Sequence, residues 1–426
     1  MTKKIAIIGS GISGLAASWL LNEKYDITLF EKNPTLGGHA NTVDINYLSG
    51  AQSTKISVDT GFIVYNFRTY HHLKQFFEFL KVEICESQMS FGIKDYSSGL
   101  EYVGSNLSGV FAQKKNLFNP LYLLMLRDIL KFNKNATKLI EDKSEIDSDL
   151  TLEGFVDRLS LGKYFRKYYL FPMASAIWSC PVEQMKLYPA KTFLQFFYNH
   201  GLLTVTNQPQ WYSVKNGSRE YIKKLTASFT DKIKLNTEIT KCYQGSDGIV
   251  LEDSLGQKYQ FDQVIFAAHA DEIFNIIQDK TVQETEILSK FKFSENLAVL
   301  HCDENQMPKI KKAWASWVYL SDEKNSKTSL SYWMNNLQKI DNKFPLFVTL
   351  NPIEKVAPQK VFGEFKYSHP IFDFAAVEAQ KEIDNIQGKR NMWFAGAWLK
   401  YGFHEDGIAS AIKIANQLDV LAPWQK

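Results

Sequence analysis

Apolar positions along the chain fall into two kinds of pattern, and each predicts a different element. Residues 4–8 form a short apolar run that stops at Gly9, and the runs 27–30, 262–268 and 391–394 are similar. Short continuous apolar runs bounded by turn residues predict buried strands. Helical periodicity follows in 15–22, in 221–229 with Ser218 as its cap, and in 408–418. It recurs in 120–140, 162–178 and 190–201, rich in Leu, Phe and Tyr, while 291–301, 329–334 and 345–350 carry the β-branched and aromatic content of sheet. Alternation over 234–252, broken at Gly245 and Gly248, predicts a small strand-rich insert, and 142–149 is a polar loop. The chain is therefore α/β, and its 426 residues exceed what one core serves, so two or three units are expected.

The first strand-to-helix junction carries chemistry. In GSGISG, Gly9 permits a tight turn, Gly11 lets backbone approach a diphosphate, and Gly14 lets the helix pack on its strand. The helix N-terminus then favours the phosphate charge. Glu31 ends the second strand about 20 residues past Gly11, where an acidic side chain accepts from a ribose hydroxyl and repels a 2′-phosphate. Gly37 and Gly38 give backbone room beside the same diphosphate. At the far end Ala395-Gly396-Ala397 forms a turn and GFHEDG (402–407) opens another helix, whose N-terminus can hold the other end of a long cofactor. A nicotinamide domain has no use for that glycine pair or that return, so FAD is the expected cofactor.

Composition removes several classes. With 45% hydrophobic and 22% charged residues and no apolar run of the ~18 residues a spanning helix needs, nothing here is expected to cross a bilayer. A net charge of +3 gives no field to gather nucleic acid. Cys85, Cys180, Cys242 and Cys302 lack metal-like spacing, so no metal is expected; they read as reduced thiols of a cytoplasmic protein whose first strand leaves no room for a signal peptide. The 14% aromatic share fits a roomy apolar interior or an aromatic-rich core. One run leaves two readings open. LYLLML (121–126), flanked by Lys114, Lys115, Arg127, Lys131 and Lys134, suits a buried helix or one lying on the inner face of the membrane.

GSGISG, Glu31, LGGHANT and VDTGFIVYN resemble the N-terminal signature of the FAD-dependent amine oxidase, protoporphyrinogen oxidase and phytoene desaturase superfamily. FPMASAIWSCP, NHGLL, NGSREY, YSHP and GFHEDG are similar to its bacterial NAD(P)/FAD-dependent oxidoreductase branch, associated with cyclopropane and other modified fatty acids. The resemblance spans nearly the whole chain. It implies a Rossmann-like FAD-binding domain from 1–81, 215–290 and 381–426, with an interleaved α+β substrate-binding domain from 82–214 and 291–380. It also implies non-covalent FAD touched by Gly9, Gly11, Ser13, Gly14, Glu31, Lys32, Gly37, Gly38, His39, Ala40, Gly61, Ile239, Gly396, Glu405, Gly407 and Ile408. Two positions depart from the family: His39 stands where many members have Arg, and Ala397 where they have the Asp of FAGD.

Flavin carries the redox chemistry in such proteins, so few titrating residues are required. His404, Glu405 and Asp406 are the polar candidates beside the flavin, and capping is the competing role of Asp406. His200 and His369 read as structural, His71 and His72 as surface-helix residues, and Asp59 and Thr60 as the anchor of the loop joining the two units. Arg219 reads as a phosphate contact or a solvated helix residue. The expected function is FAD-dependent oxidation or desaturation of an apolar substrate, with a fatty acyl chain implied by the resemblance. An amine oxidase, a carotenoid-type desaturase and a flavin-binding partner without turnover are the alternatives.

Overall fold

A computed structural model describes residues 2–49, 52–142, 147, 149–204, 208–322 and 328–425; positions 143–146 and 148 of the expected polar loop lie outside the described residues. The apolar runs become a five-stranded, all-parallel sheet in the order Ile233–Lys234, Asp26–Phe30, Lys4–Ile8, Gln263–Phe266, Met392–Phe394. Its central strands are buried on both faces, which is why they read as continuous rather than alternating. The helices Ile12–Leu21 and His404–Gln417 pack on one face. A three-stranded antiparallel insert, Ile239–Gly245, Gly248–Asp253 and Lys258–Phe261, covers the other and extends beyond the expected 234–252.

A seven-stranded mixed sheet lies apart, in the order Val361–Ile371, Lys292–His301, Phe347–Leu350, Ser329–Trp333, Trp317–Ser321, Phe91–Asp95, Glu101–Val103. The helices Pro120–Glu141, Phe171–Trp178 and Ala190–Asn199 pack their aromatic faces into the same core. The expected helix 162–178 is interrupted by a π turn at Arg166–Leu170. Val361–Ile371 escaped the sequence reading because it is a half-exposed edge strand containing Gly363 and Pro370. An edge tolerates a proline that a central strand would not.

Asp59 ties the two sheets' elements together. Its buried carboxylate accepts from Thr42 Oγ1 (2.6 Å), Ser218 N (2.9 Å), Ser218 Oγ (2.8 Å) and Gln338 Nε2 (2.8 Å). This corrects two expectations. Ser218 has helical backbone angles and spends its hydroxyl on Asp59, so it caps nothing, and the helix runs Arg219–Thr226. Arg219 is not a solvated helix residue: its Nη2 pairs with Asp44 and donates to Ser57 Oγ at 2.8 Å.

Burial, only partly opposed by the Thr42 and Ser218 hydrogen bonds, pushes Asp59 up to about 6. Asp59→Ala, which strands several buried donors, is expected to cost about 3 kcal/mol in urea unfolding. A folded pKa above the unfolded one gives stability that is complete at low pH and is lost as pH rises through the folded value. Asp59→Asn should therefore flatten the pH dependence of the urea midpoint between about pH 4 and about pH 7.

Candidate cofactor-binding site

The strand Lys4–Ile8 delivers the chain to Gly9 at φ +100°, a conformation side chains rarely adopt. A Cβ on Gly14 would lie 1.9 Å from the Gly9 carbonyl oxygen, so only glycine lets the helix sit this close to the turn. At Gly11 the reverse holds: a Cβ there would meet no heavy atom within 4 Å, and no side chain caps the helix that starts at Ile12. Uncapped first-turn N–H groups facing open space suit an anion. The paired glycines are drawn onto the same turn, because Gly37 N donates to Ser10 O at 3.1 Å and Gly38 lies beside Gly11.

Glu31 is buried at the end of its strand. One carboxylate oxygen accepts from Ser10 N (3.0 Å) and Ser10 Oγ (2.5 Å), the other from Asn33 N (2.8 Å) and Asn33 Nδ2 (2.9 Å). Ser10 and Asn33 were not singled out from the sequence, although Ser10 lies inside the glycine motif. Lys32 is spent on Glu272 at 2.6 Å.

His39 follows the glycine pair into a cluster. Its ring centroid is 5.0 Å from Tyr367, 5.3 Å from His369 and 6.0 Å from His269. Burial, then the neighbouring imidazoles of His369 and His269, hold His39 well below its ordinary range, so it is neutral and supplies none of the charge an Arg would. Burial pushes His369 down to about 4, and its Nδ1 meets Asn296 Nδ2 at 2.9 Å. His269 stacks on Phe293 at 4.5 Å. Tyr367 OH bonds Thr60 Oγ1 (2.7 Å) and Asn41 Nδ2 (3.1 Å), tying the edge strand of the large sheet to the loop after the glycines. His369 thus belongs to a cluster rather than standing alone. Nothing local in the sequence signals His269 or Tyr367, which arrive from distant elements.

The C-terminal return closes the site. Gly407 packs against Ile12 and Ser13, where an added Cβ would come within 2.7 Å and 2.9 Å of their side chains. Gly396 N donates to Ser410 Oγ at 3.0 Å, and Gly61 lies against the His39 carbonyl. Ala40, Ile239 and Ile408 are core residues.

The three polar candidates are taken up by the protein itself. Glu405 accepts from His72 N and Leu73 N, both at 2.9 Å, and so caps the helix His71–Phe79. Asp406 accepts from Phe403 N (3.0 Å) and Tyr401 N (3.2 Å), and burial outweighs these bonds to push it up to about 6. His404 stacks on Phe62 at 3.7 Å, and burial pushes it down to about 3. All three are thus engaged by the protein's own groups.

Beside this return stands an aromatic wall. Phe196 lies 5.2 Å from Phe403, 5.4 Å from Tyr401, 4.8 Å from Trp178 and 3.9 Å from His200, and Trp178 Nε1 donates to Tyr401 O at 3.2 Å. A separate cleft of about 700 Å³, lined by Gln88, Gln210, Trp211, Trp333 and Asn336 among others, includes none of these residues. Among the described residues no group of three or more His, Cys, Asp or Glu could hold a metal ion.

Comparison with known proteins agrees with this geometry. Residues 7–80 match the NAD(P)-binding Rossmann-like domain. The flavin-containing amine oxidase A of Canis lupus familiaris is 23% identical over 275 residues, 62% of this chain and 49% of that protein. The chain spans about half the length of the curated relatives it matches. A CLA-producing fatty acid isomerase from P. acnes superposes with TM-score 0.69 at 14% identity, covering 98% of this chain and 99% of the other. A putrescine oxidase bound to putrescine gives TM-score 0.67 at 12% identity, covering 98% and 99%. The fold is amine-oxidase-like, a Rossmann-like nucleotide-binding unit joined to a mixed-sheet unit.

A capping role makes a definite demand on Glu405. Glu405→Ala should lower stability by about 1 to 2 kcal/mol in urea unfolding, and Glu405→Gln, which keeps an acceptor but loses the charge at the helix N-terminus, by less.

Proposed function

We propose that the chain is an FAD-dependent oxidoreductase that oxidises or desaturates a largely apolar substrate, with a fatty acyl chain as the substrate class. The observation that carries this reading is the uncharged aromatic wall of Trp178, Phe196, Tyr401 and Phe403, built onto the loop that runs into the Gly407 helix. When bound, FAD supplies the two-electron acceptor. The chain's own residues do the rest. The open turn at Gly11 and the first-turn amides after it take the diphosphate, and Glu31 takes a ribose hydroxyl in exchange for the Ser10 hydroxyl. The aromatic wall excludes water and orients an apolar chain.

Both carboxylates of that loop, Glu405 and Asp406, are engaged by backbone N–H groups of the protein, which favours an apolar substrate over an amine. The likeness to the P. acnes fatty acid isomerase supports an acyl substrate. Non-covalent retention is part of the proposal.

The absorbance spectrum of the purified protein, followed by anaerobic addition of acyl lipids, alkyl amines and reduced nicotinamides, tests it. Flavin bands bleached by acyl lipid alone are the expected result. Bleaching by amines with peroxide release would replace the substrate class, and a colourless protein that cannot be reconstituted with FAD would remove the cofactor.

His39 adds a pH prediction. It is neutral in the free protein, and a diphosphate beside it raises its pKa, so FAD binding takes up a proton. Affinity should tighten several-fold as pH falls from about 8 to about 6, with a ceiling of about tenfold per pH unit for one proton. His39→Arg, with a fixed charge, should flatten that slope in a flavin-fluorescence titration.

A further inference from the structure

Six large apolar side chains are exposed within residues 107–130: Leu107 (78%), Leu117 (46%), Phe118 (87%), Leu121 (53%), Leu123 (43%) and Leu130 (60%). They lie on consecutive elements, Leu107, Leu117, Phe118 and Leu121 around the start of the helix Pro120–Glu141 and Leu123 and Leu130 along its outer stripe. Tyr122 OH donates to Val110 O at 2.6 Å, which fastens the short helix Leu107–Val110 to the first turn of Pro120–Glu141. The 3₁₀ turn Lys114–Phe118 leads into the same helix, whose Asn119 cap accepts from Leu121 N and Tyr122 N. Leu107, Leu117, Phe118 and Leu121 therefore gather at one end. Leu123, Arg127, Leu130 and Lys134 continue along one stripe of the helix at spacings of four, three and four. The opposite stripe, Tyr122, Met125, Phe132 and Ala136, is fully buried, so the core makes no use of the outer leucines.

Charge selects the occupant. Residues 107–140 hold Lys114, Lys115, Arg127, Lys131, Lys134 and Lys138 against a single carboxylate, a net +5 in a chain whose total is +3. That carboxylate, Asp128, is buried and accepts from Gly162 N at 2.8 Å. Lys163 and Lys167 extend the basic rim from the adjoining helical segment. An apolar patch of this kind marks an interaction site. A basic rim around large apolar side chains, on a helix too polar to cross a bilayer, suits a surface of anionic headgroups over acyl chains.

We propose that this surface docks the protein on anionic bilayers, with Phe118, Leu107, Leu117 and Leu121 in the acyl boundary and the lysines on headgroup phosphates. The proposal does not depend on the redox reading, because its test reads binding and not turnover. The full chain is co-sedimented with phosphatidylcholine vesicles with and without phosphatidylglycerol, at low and high salt. Binding is expected with phosphatidylglycerol, to weaken with salt, and to fall at least about fivefold in Lys114→Glu, given what one cation near an anionic surface contributes. Phe118→Ser should weaken it comparably. Leu255→Ser, at an 89% exposed leucine elsewhere, should leave it unchanged. Thermal midpoints should stay at the wild-type value in all three variants. Equal binding to neutral vesicles, no binding at all, or variants that bind like wild type would overturn the proposal. So would a dimer that Phe118→Ser dissociates without lipid, since the surface would then belong to a second copy.

Discussion

The cofactor end of the molecule depends on how closely one helix approaches the strand before it. Gly14 sits so near the Gly9 carbonyl that any side chain there would push the helix away, and Gly407 lets the last helix settle on Ile12 and Ser13 from the other side. Two helices and a strand thereby meet with almost no side-chain volume between their backbones. The consequence is an N-terminus at Gly11 held in place by packing yet open in front, with no capping side chain to compete for its amides. Absent side-chain atoms are what leave this N-terminus open to the diphosphate proposed above.

Polar groups that look catalytic in sequence are used to hold that arrangement. Glu405 and Asp406 sit at a helix N-terminus, where negative charge is favoured, but each faces backbone N–H groups of the protein at hydrogen-bond distance. The histidines nearby share one cause of lowered basicity: burial raises the cost of the imidazolium, and neighbouring imidazoles add to it at His39 and His369. The result is a region rich in titratable residues and poor in free charge. That is the setting the proposed apolar substrate calls for.

Local signals in the sequence disclosed much of this. The four apolar runs and the glycine spacing foretold four of the sheet's five strands, its first turn and the Rossmann-like class, because periodicity and turn chemistry act over a few residues. Register between distant segments left no such trace. Asp59 finds Ser218 across 159 positions and Glu405 finds His72 across 333, pairings that no window of sequence displays. The edge strand bearing Tyr367 and His369 was hidden by its own half-exposure, which erases the alternation of a strand with one buried face. Helix starts were misplaced by a turn for a related reason. The cap was sought at Ser218, whose hydroxyl a remote carboxylate had already claimed.

The same competition bears on the ribose contact proposed for Glu31. A carboxylate offers about four lone-pair sites, and here four protein donors fill them. An incoming hydroxyl must therefore displace one. The two backbone N–H groups are fixed by the turn, and the Asn33 amide can move only with its side chain, whereas the Ser10 hydroxyl turns about a single bond. Gly37 N, at 3.3 Å from Ser10 Oγ, keeps that oxygen engaged as an acceptor after its proton has left Glu31. Ser10 thus keeps the carboxylate from standing as an unpaired buried charge. It can yield to a ribose hydroxyl at the cost of one hydrogen bond, which the ligand then replaces.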